Sequence, residues 1–136
     1  MDPITRQTAL GAAGAGGDPV YVDDVFSTYL YDGNEGSNQI NNGIDLAGEG
    51  GLVWFKNRTR SGDAPTLIDT ETQSGGYLIS SGTAALSGTQ PFSSFNSNGY
   101  TINSGSFYVN DSSHKYASWT FRKAPGFFDV VTYTGN

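Results

Sequence analysis

Hydrophobic and polar residues alternate in short stretches along most of the chain. Residues 116–121 alternate large and small or polar side chains with period two, and residues 52–56 form a continuous apolar run. Both patterns are typical of β-strands. Further strands are predicted at residues 20–22, 25–31, 66–70, 77–80, 92–95, 100–102, 107–109 and 127–133. Asn98-Gly99 is a strong hairpin signal and Asp32-Gly33 a sharp turn, so the pattern predicts an antiparallel β-sandwich or jelly roll.

The first 19 residues differ from the rest. Asp2 and Pro3 can start a short helix as N-cap and first helical residue, and Gly11 can end it. Residues 11–17 are Gly and Ala only, which is typical of a flexible tether. An isolated helix this short is unstable in water without a partner surface. We therefore interpret residues 1–19 as a flexible docking arm with Ile4 and Leu10 as apolar anchors; the alternative is a leader without a role.

Composition supports the all-β interpretation. The 136 residues include 19 Gly, 13% aromatic and only 15% charged residues. Strong helix formers are sparse, whereas Tyr, Phe, Thr and Val are plentiful, as expected for strands joined by turns. The length predicts a single main domain.

Charge and cysteine content exclude several classes of function. The formal net charge of -6 opposes nucleic-acid binding. The single basic cluster, Lys56, Arg58 and Arg60, is better explained as a solvated strand end. The chain has no Cys, which suits assembly in a reducing cytoplasm. No apolar run approaches the ~20 residues that span a bilayer, and the N-terminus lacks a secretory pattern, so we expect no membrane insertion.

An internal repeat affects the domain boundaries. Residues 26–34 and 128–136 share Phe, Tyr, Gly and Asn at the same spacing. Aromatic strands followed by Gly-Asn turns are common in β-proteins, so chance is one explanation. A second module that begins here is the other. We therefore divide the chain into the arm (1–19), a sandwich domain (20–126) and a terminal strand (127–136) that starts a further β-module.

Asp69 and Glu71 are the best candidates for acid/base chemistry, because alternate residues of a strand lie on one face. Glucanases with a lectin-like jelly roll use carboxylates at this spacing. They carry a third carboxylate two residues earlier, where this chain has Leu67. His114 is the only histidine, and its neighbours are typical of a polar loop. We predict no catalytic residue and no enzymatic activity.

Acidic turns offer oxygen atoms that could bind Ca²⁺, at Asp23-Asp24 and at Asp32-Gly-Asn-Glu35. Neither spacing matches an EF-hand loop, and turn formation explains the Asp-Gly-Asn sequence. We therefore predict no metal site and no cofactor.

Aromatic residues beside Asn and Asp can stack on sugars. Trp54 and Trp119 lie in the most apolar strands, and we expect both in the core. The predicted core residues are Trp54, Phe55, Leu67, Ile79, Trp119 and Phe121. The glycan-binding role remains open for Tyr29, Tyr31, Tyr77, Tyr100 and Tyr108, so no glycan-binding residue is assigned.

Four segments resemble recurrent parts of large virion proteins of tailed phages of marine bacteria, including cyanophages. They are residues 21–31, 42–58, 94–100 and 119–136. Gly51-Leu-Val-Trp54 and Trp119-Thr-Phe-Arg-Lys-Ala-Pro125 are the most distinctive. The resemblance implies a concanavalin-like, laminin-G-like sandwich and a chain that continues into further β-domains. Such proteins are assigned to tails or fibres, and the resemblance carries over no catalytic or binding residue.

We therefore expect a structural virion protein, a tail fibre or tail-associated subunit that is anchored by its arm and assembled in the bacterial host cytoplasm. Its expected partners are adaptor, tail or capsid subunits and further copies of itself, with a trimer favoured. The alternatives are a lectin-like module that binds host-surface glycan, and a capsid decoration or head fibre protein. A glycan-degrading enzyme is the least favoured.

Overall fold

Two antiparallel sheets form the protein in a computed structural model, which describes residues 19–72, 76–86, 88, 92–103 and 107–136. The larger sheet has five strands in the order β1-β8-β3-β4-β5, and the smaller has three in the order β2-β7-β6. The strands are β1 Phe26–Asp32, β2 Asn38–Asn41, β3 Gly51–Asn57, β4 Thr66–Asp69, β5 Leu78–Ile79, β6 Phe92–Asn96, β7 Gly99–Ile102 and β8 Lys115–Arg122. Two single helical turns, α1 Val22–Val25 and α2 Phe107–Asn110, precede β1 and β8.

The core lies between the two sheets. Phe55 of β3 contacts Tyr100 of β7 and Phe92 of β6 edge-on, with ring centroids 5.5 and 5.3 Å apart. The Tyr100 hydroxyl donates to Ser118 Oγ of β8 at 2.7 Å and thereby joins the sheets. Other buried members of this cluster are Tyr31, Ile40, Ile44, Leu46, Val53, Ile68, Ile102, Val109 and Tyr116. The predicted antiparallel β-sandwich is thus confirmed.

The predicted hairpin joins β6 to β7, but its loop is one residue earlier than expected. Asn96 pairs with Gly99, so Ser97 and Asn98 form the loop. Gly99 begins β7 with φ 138°, and a Cβ there would lie 2.0 Å from the Ile40 carbonyl oxygen of β2. The glycine is therefore required by close approach of the neighbouring strand.

Residues 107–109 were expected to be a strand and instead begin the α2 turn. The turn buries the consecutive residues Val109 and Asn110 completely, whereas a strand would direct them to opposite faces. Asn110 Oδ1 accepts from Asn38 Nδ2 at 3.0 Å, and Asn110 Nδ2 donates to the Gly36 carbonyl at 2.7 Å. These bonds give the buried side-chain amide of Asn110 its hydrogen-bond partners, without which its burial would cost free energy.

The strands expected at residues 20–22 and 127–133 are also absent. Residues 22–25 form α1, in which the Tyr21 N–H donates to the Asp24 carboxylate at 3.3 Å. After β8 the chain turns back and makes one bridge, Ala124 to Phe128. Because β8 already lies between β1 and β3, residues following it have no free edge of β8 to pair with. The segment that repeats the sequence of β1 is not a strand here.

Candidate interaction face

The large sheet has an outer face, directed away from the core, that is mainly apolar. Thr28, Trp119, Trp54, Leu67 and Leu78 lie side by side in register across all five strands. At about 4.8 Å between strands, this row is about 19 Å long. A second row consists of Phe26, Phe121 and Leu52 and ends at the carboxylate of Asp69. We refer to the five residues of the first row, the three apolar residues of the second row and Leu30 as the outer face.

The aromatic residues of the outer face pack in two groups. The ring centroids of Trp54 and Trp119 are 5.6 Å apart, with the planes tilted by 52°. Phe121 contacts Phe26 at 5.1 Å and Phe128 at 5.3 Å. Phe26 and Phe128, the first residues of the two copies of the internal repeat, therefore pack on the same ring. The second copy anchors the chain after β8 to the sheet.

The outer face remains accessible to solvent. The exposed fraction is 59% for Leu30, 38% for Trp54 and 37% for Leu78. The prediction that Trp54 belongs to the core was therefore wrong. In β3, Gly51, Val53, Phe55 and Asn57 are buried, and this alternation directs Trp54 outward. Of the other predicted core residues, Phe55 is buried, whereas Leu67, Ile79, Trp119 and Phe121 are partly exposed.

Ion pairs lie at two ends of the outer face. Lys115 Nζ contacts Asp32 Oδ1 at 2.9 Å where β1 and β8 meet. At the other end of β8, Lys123 Nζ lies 2.8 Å from Glu71 Oε1 and 3.5 Å from Asp129 Oδ1. These contacts raise the pKa of the Lys123 ammonium, chiefly through the hydrogen bond to Glu71. An apolar centre with a charged rim is the usual anatomy of a protein–protein interface.

The candidate catalytic residues do not converge. Asp69 and Glu71 were expected on one strand face, but β4 ends at Asp69. The Asp69 carboxylate accepts from the Glu71 and Thr72 N–H groups at 2.9 and 2.8 Å, and from Thr72 Oγ1 at 3.0 Å. It is therefore committed to a turn. Glu71 pairs with Lys123, which follows β8, whereas His114 precedes β8. Glu71 and His114 are therefore separated by the length of this eight-residue strand, about 26 Å.

His114 belongs to a loop network. Its Nδ1 lies 3.1 Å from Thr59 Oγ1, and its Nε2 lies 3.9 Å from the Asp111 carboxylate. The pKa of the Asp111 carboxyl is lowered, first by the hydrogen bond from the Ser113 hydroxyl. These bonds connect the loop before β8 to the loop after β3.

Two of the residues considered for Ca²⁺ in the sequence, Asp32 and Asn34, have other partners. Asp32 pairs with Lys115, and Asn34 Oδ1 accepts from Gly36 N–H and from Asn110 Nδ2. In the part of the chain that the structure describes, no group of three or more His, Cys, Asp or Glu could hold a metal ion.

The basic cluster also serves its own loop. Lys56 Nζ donates to the Asp63 carbonyl oxygen, Arg58 Nε to the Tyr116 carbonyl oxygen, and Arg60 lies 3.5 Å from the Asp63 carboxylate. These residues therefore fix the turn after β3, as expected for a strand end.

The five tyrosines left open for glycan binding separate by exposure. Tyr31 and Tyr100 are buried, Tyr29 and Tyr77 pack partly buried against the core, and Tyr108 is 58% exposed. Burial is the main cause that raises the pKa of the Tyr31 and Tyr100 hydroxyls. Tyr31 and Tyr100 are therefore core residues. Ile4 and Leu10, the predicted arm anchors, lie outside the described residues.

Two surface grooves lie outside the outer face rows. One, of about 370 Å³, is lined by Leu46, Ala47, Thr70 and residues 92–95, none of which is charged. The other, of about 560 Å³, is lined by Glu49 and residues 123–129. Its cation, Lys123, is paired with the carboxylates of Glu71 and Asp129.

The fold and this surface define an antiparallel β-sandwich whose large sheet is apolar on both faces. Residues 22–136 match the family described as "Domain of unknown function (DUF7483)", and the chain belongs to that family. Comparison with curated proteins and with solved structures found no match. No helix among the described residues is long and apolar enough to cross a membrane.

Proposed function

We propose that this chain is a non-catalytic structural module that acts by contact with other proteins, as a component of a tailed bacteriophage virion. The observation that supports the contact function is the outer face. Trp54, in the middle of its longer row, is exposed to solvent. Large apolar patches at the surface commonly mark interaction sites.

The composition of the outer face favours a protein partner. Trp is among the residues that dominate binding energy at protein interfaces when a partner covers it. Trp54 has Trp119 and Leu67 as its neighbours in register on the two adjacent strands. A partner that covers this row removes apolar surface from water, at about 25 cal/mol for each Å².

The virion setting is supported by the sequence resemblance of residues 42–58 and 119–136 to phage virion proteins. Within that setting we favour a tail fibre or tail-associated subunit, with adaptor or tail proteins and further copies of the chain as partners. Decoration of the capsid is the alternative position.

A glycan-binding module is the second candidate, and the exposure of Trp54 favours it, because an exposed indole ring can stack on a sugar. Sugar sites also need polar groups beside the ring to accept and donate hydrogen bonds. The in-register neighbours of Trp54 are instead apolar. Protein contact therefore explains the outer face better.

The test is incorporation of outer-face variants into phage particles. A Trp54→Ser, Trp119→Ser double variant is supplied to a phage that lacks the native gene, and its copy number per particle is measured by quantitative mass spectrometry. We expect a drop of at least about tenfold, because two interface tryptophans are removed. Tyr108→Ser, an exposed aromatic residue away from the outer face, is the matched control and should incorporate normally.

Normal incorporation of the double variant would contradict the proposed role of the outer face. Absence of the native chain from purified particles would contradict the virion setting. A glycan array separates the second candidate, since binding that is lost in Trp54→Ser would favour the lectin function.

A further inference from the structure

Among the strands that the structure describes, β1 has the longest open edge. β1 has seven residues and pairs only with β8 in the described part of the molecule. The Gly33 N–H donates to the His114 carbonyl at 3.0 Å. Hydrogen-bonded pairs alternate along an antiparallel ladder. The backbone N–H and C=O groups of Ser27, Tyr29 and Tyr31 therefore also point toward β8. Phe26, Thr28 and Leu30 therefore direct their backbone N–H and C=O groups outward.

This edge lacks the features that protect exposed strands. Natural edges are shortened, bulged, or carry Lys or Pro, whereas β1 reads Phe-Ser-Thr-Tyr-Leu-Tyr-Asp without a bulge in its register. The other edges of the two sheets differ. β5 has two residues, β2 is Asn-Gln-Ile-Asn, and β6 has a register shift between Phe92 and Ser94.

A second, independent observation concerns the segment after Phe128. Residues 129–136 form no strand, yet Val131 is 72% and Tyr133 89% exposed. The sequence Asp-Val-Val-Thr-Tyr is rich in β-branched and aromatic residues, as strands are. It lies within residues 128–136, which repeat the Phe, Tyr, Gly and Asn spacing of residues 26–34. One molecule thus contains both a strand-forming segment that pairs with no strand, residues 129–136, and an edge strand, β1, whose outer side is unpaired in the described part of the chain.

We propose that residues 129–135 of a second copy of this chain add as a strand to the open edge of β1. Backbone hydrogen bonds to Phe26, Thr28 and Leu30 supply the affinity, as in other cases of strand addition. The added strand places Val131 and Tyr133 beside Leu30, which directs the Val131 N–H toward β1 and widens the outer face. Reciprocal exchange gives a closed dimer, whereas one-directional addition gives a chain of subunits.

Strand addition uses the backbone edge of β1, whereas the proposed virion contact uses side chains of the outer face, so the two can be tested separately. Pairing within one chain is the competing arrangement, because Phe128 packs on Phe121 next to Phe26. Concentration separates the two, since pairing between copies obeys mass action and pairing within one chain does not.

The experiment is sedimentation velocity of the full chain over a wide concentration range. The native chain should associate, with a weight-average mass that rises with concentration. Val131→Pro blocks the added strand, and Leu30→Pro removes an outward N–H while leaving the β8 ladder intact. Each variant should associate roughly a hundredfold more weakly. Val131→Thr, which keeps the N–H and the β-branched shape, is the matched control and should associate normally.

Mixing the two proline variants gives the sharpest test. Val131→Pro keeps an intact β1 edge and Leu30→Pro keeps an intact donor segment, so the mixture should form a one-to-one dimer that neither forms alone. Near-ultraviolet circular dichroism establishes that both variants are folded, and Val131 belongs to no strand whose loss could unfold the domain. A native chain that stays monomeric to its solubility limit would overturn the proposal, as would a mixture that stays monomeric. Loss of particle incorporation by the outer-face variant would leave this result unaffected.

Discussion

Trp54 and Phe55 are consecutive residues of β3 that have opposite environments. The Phe55 side chain is 1% exposed between the two sheets, and Trp54 is 38% exposed on the outer face beside Trp119. The larger aromatic ring therefore lies on the outside of the sandwich. A strand with apolar residues on both faces stabilises the fold with one face and presents the other at the surface of the sandwich.

The two residues should differ strongly in their effect on stability. Phe55→Ala should lower the free energy of unfolding by about 3–5 kcal/mol, because it leaves a cavity among packed rings. Trp54→Ala should lower it by about 1 kcal/mol, since the ring is already partly solvated. Urea denaturation followed by circular dichroism measures both values. Equal losses would mean that Trp54 belongs to the core.

The sequence predicted the class of fold and most strands, because alternation and turn residues are local signals. It did not predict which face of β3 is buried. Residues 52–55 are all apolar, so both faces of the strand look hydrophobic and only the opposing sheet decides between them. The β2 strand, Asn-Gln-Ile-Asn, was not predicted because one buried residue, Ile40, is too weak a signal.

The candidate site depended on tertiary register and was for that reason not predicted. The row from Thr28 to Leu78 joins residues of five strands that are far apart in the sequence. Similarly, the α2 turn forms because Asn110 reaches Asn38 and Gly36 across the fold. Tertiary contacts of this kind override the local strand preference of Phe-Tyr-Val.

Gly99 should be intolerant of substitution. Gly99→Ala forces a Cβ against the Ile40 carbonyl oxygen at a φ of 138°, so β2 and β7 must separate locally. We expect a loss of roughly 2–4 kcal/mol in the free energy of unfolding. Gly62→Ala, at a position with no atom within 4 Å of the new Cβ, is the control and should change stability little. Thermal denaturation of both variants gives the comparison, and similar melting temperatures would refute the steric argument.

The N-terminal arm should matter for assembly and not for folding. The core cluster begins at Tyr31, so a variant lacking residues 2–17 should melt at the temperature of the full chain. Its copy number per particle should fall, because a docking arm contributes to every subunit contact and the losses multiply through avidity. The Ile4→Ser, Leu10→Ser double variant keeps the full length of the chain and removes only the two predicted anchors. It should show the same fall in copy number per particle. Native occupancy of the truncated protein would make the arm a leader without a docking role.

The buried tyrosines should make the fold sensitive to alkaline pH. Burial raises the pKa of Tyr31, Tyr100 and Tyr116 above the ordinary value of 10.0, whereas in the unfolded chain all tyrosines ionise near that value. The folded state thus holds these hydroxyls neutral, and its stability is fully present below pH 10 and falls as pH rises above 10. Absorbance at the tyrosinate band should show Tyr31, Tyr100 and Tyr116 ionising only together with loss of the native circular dichroism signal. Tyr100→Phe removes one such group, so the stability of this variant should fall less steeply above pH 10. Near neutral pH the variant should be about 1–2 kcal/mol less stable than the native protein, because Ser118 loses its hydrogen-bond partner. Normal titration of all tyrosines in a folded protein would contradict the burial of these rings.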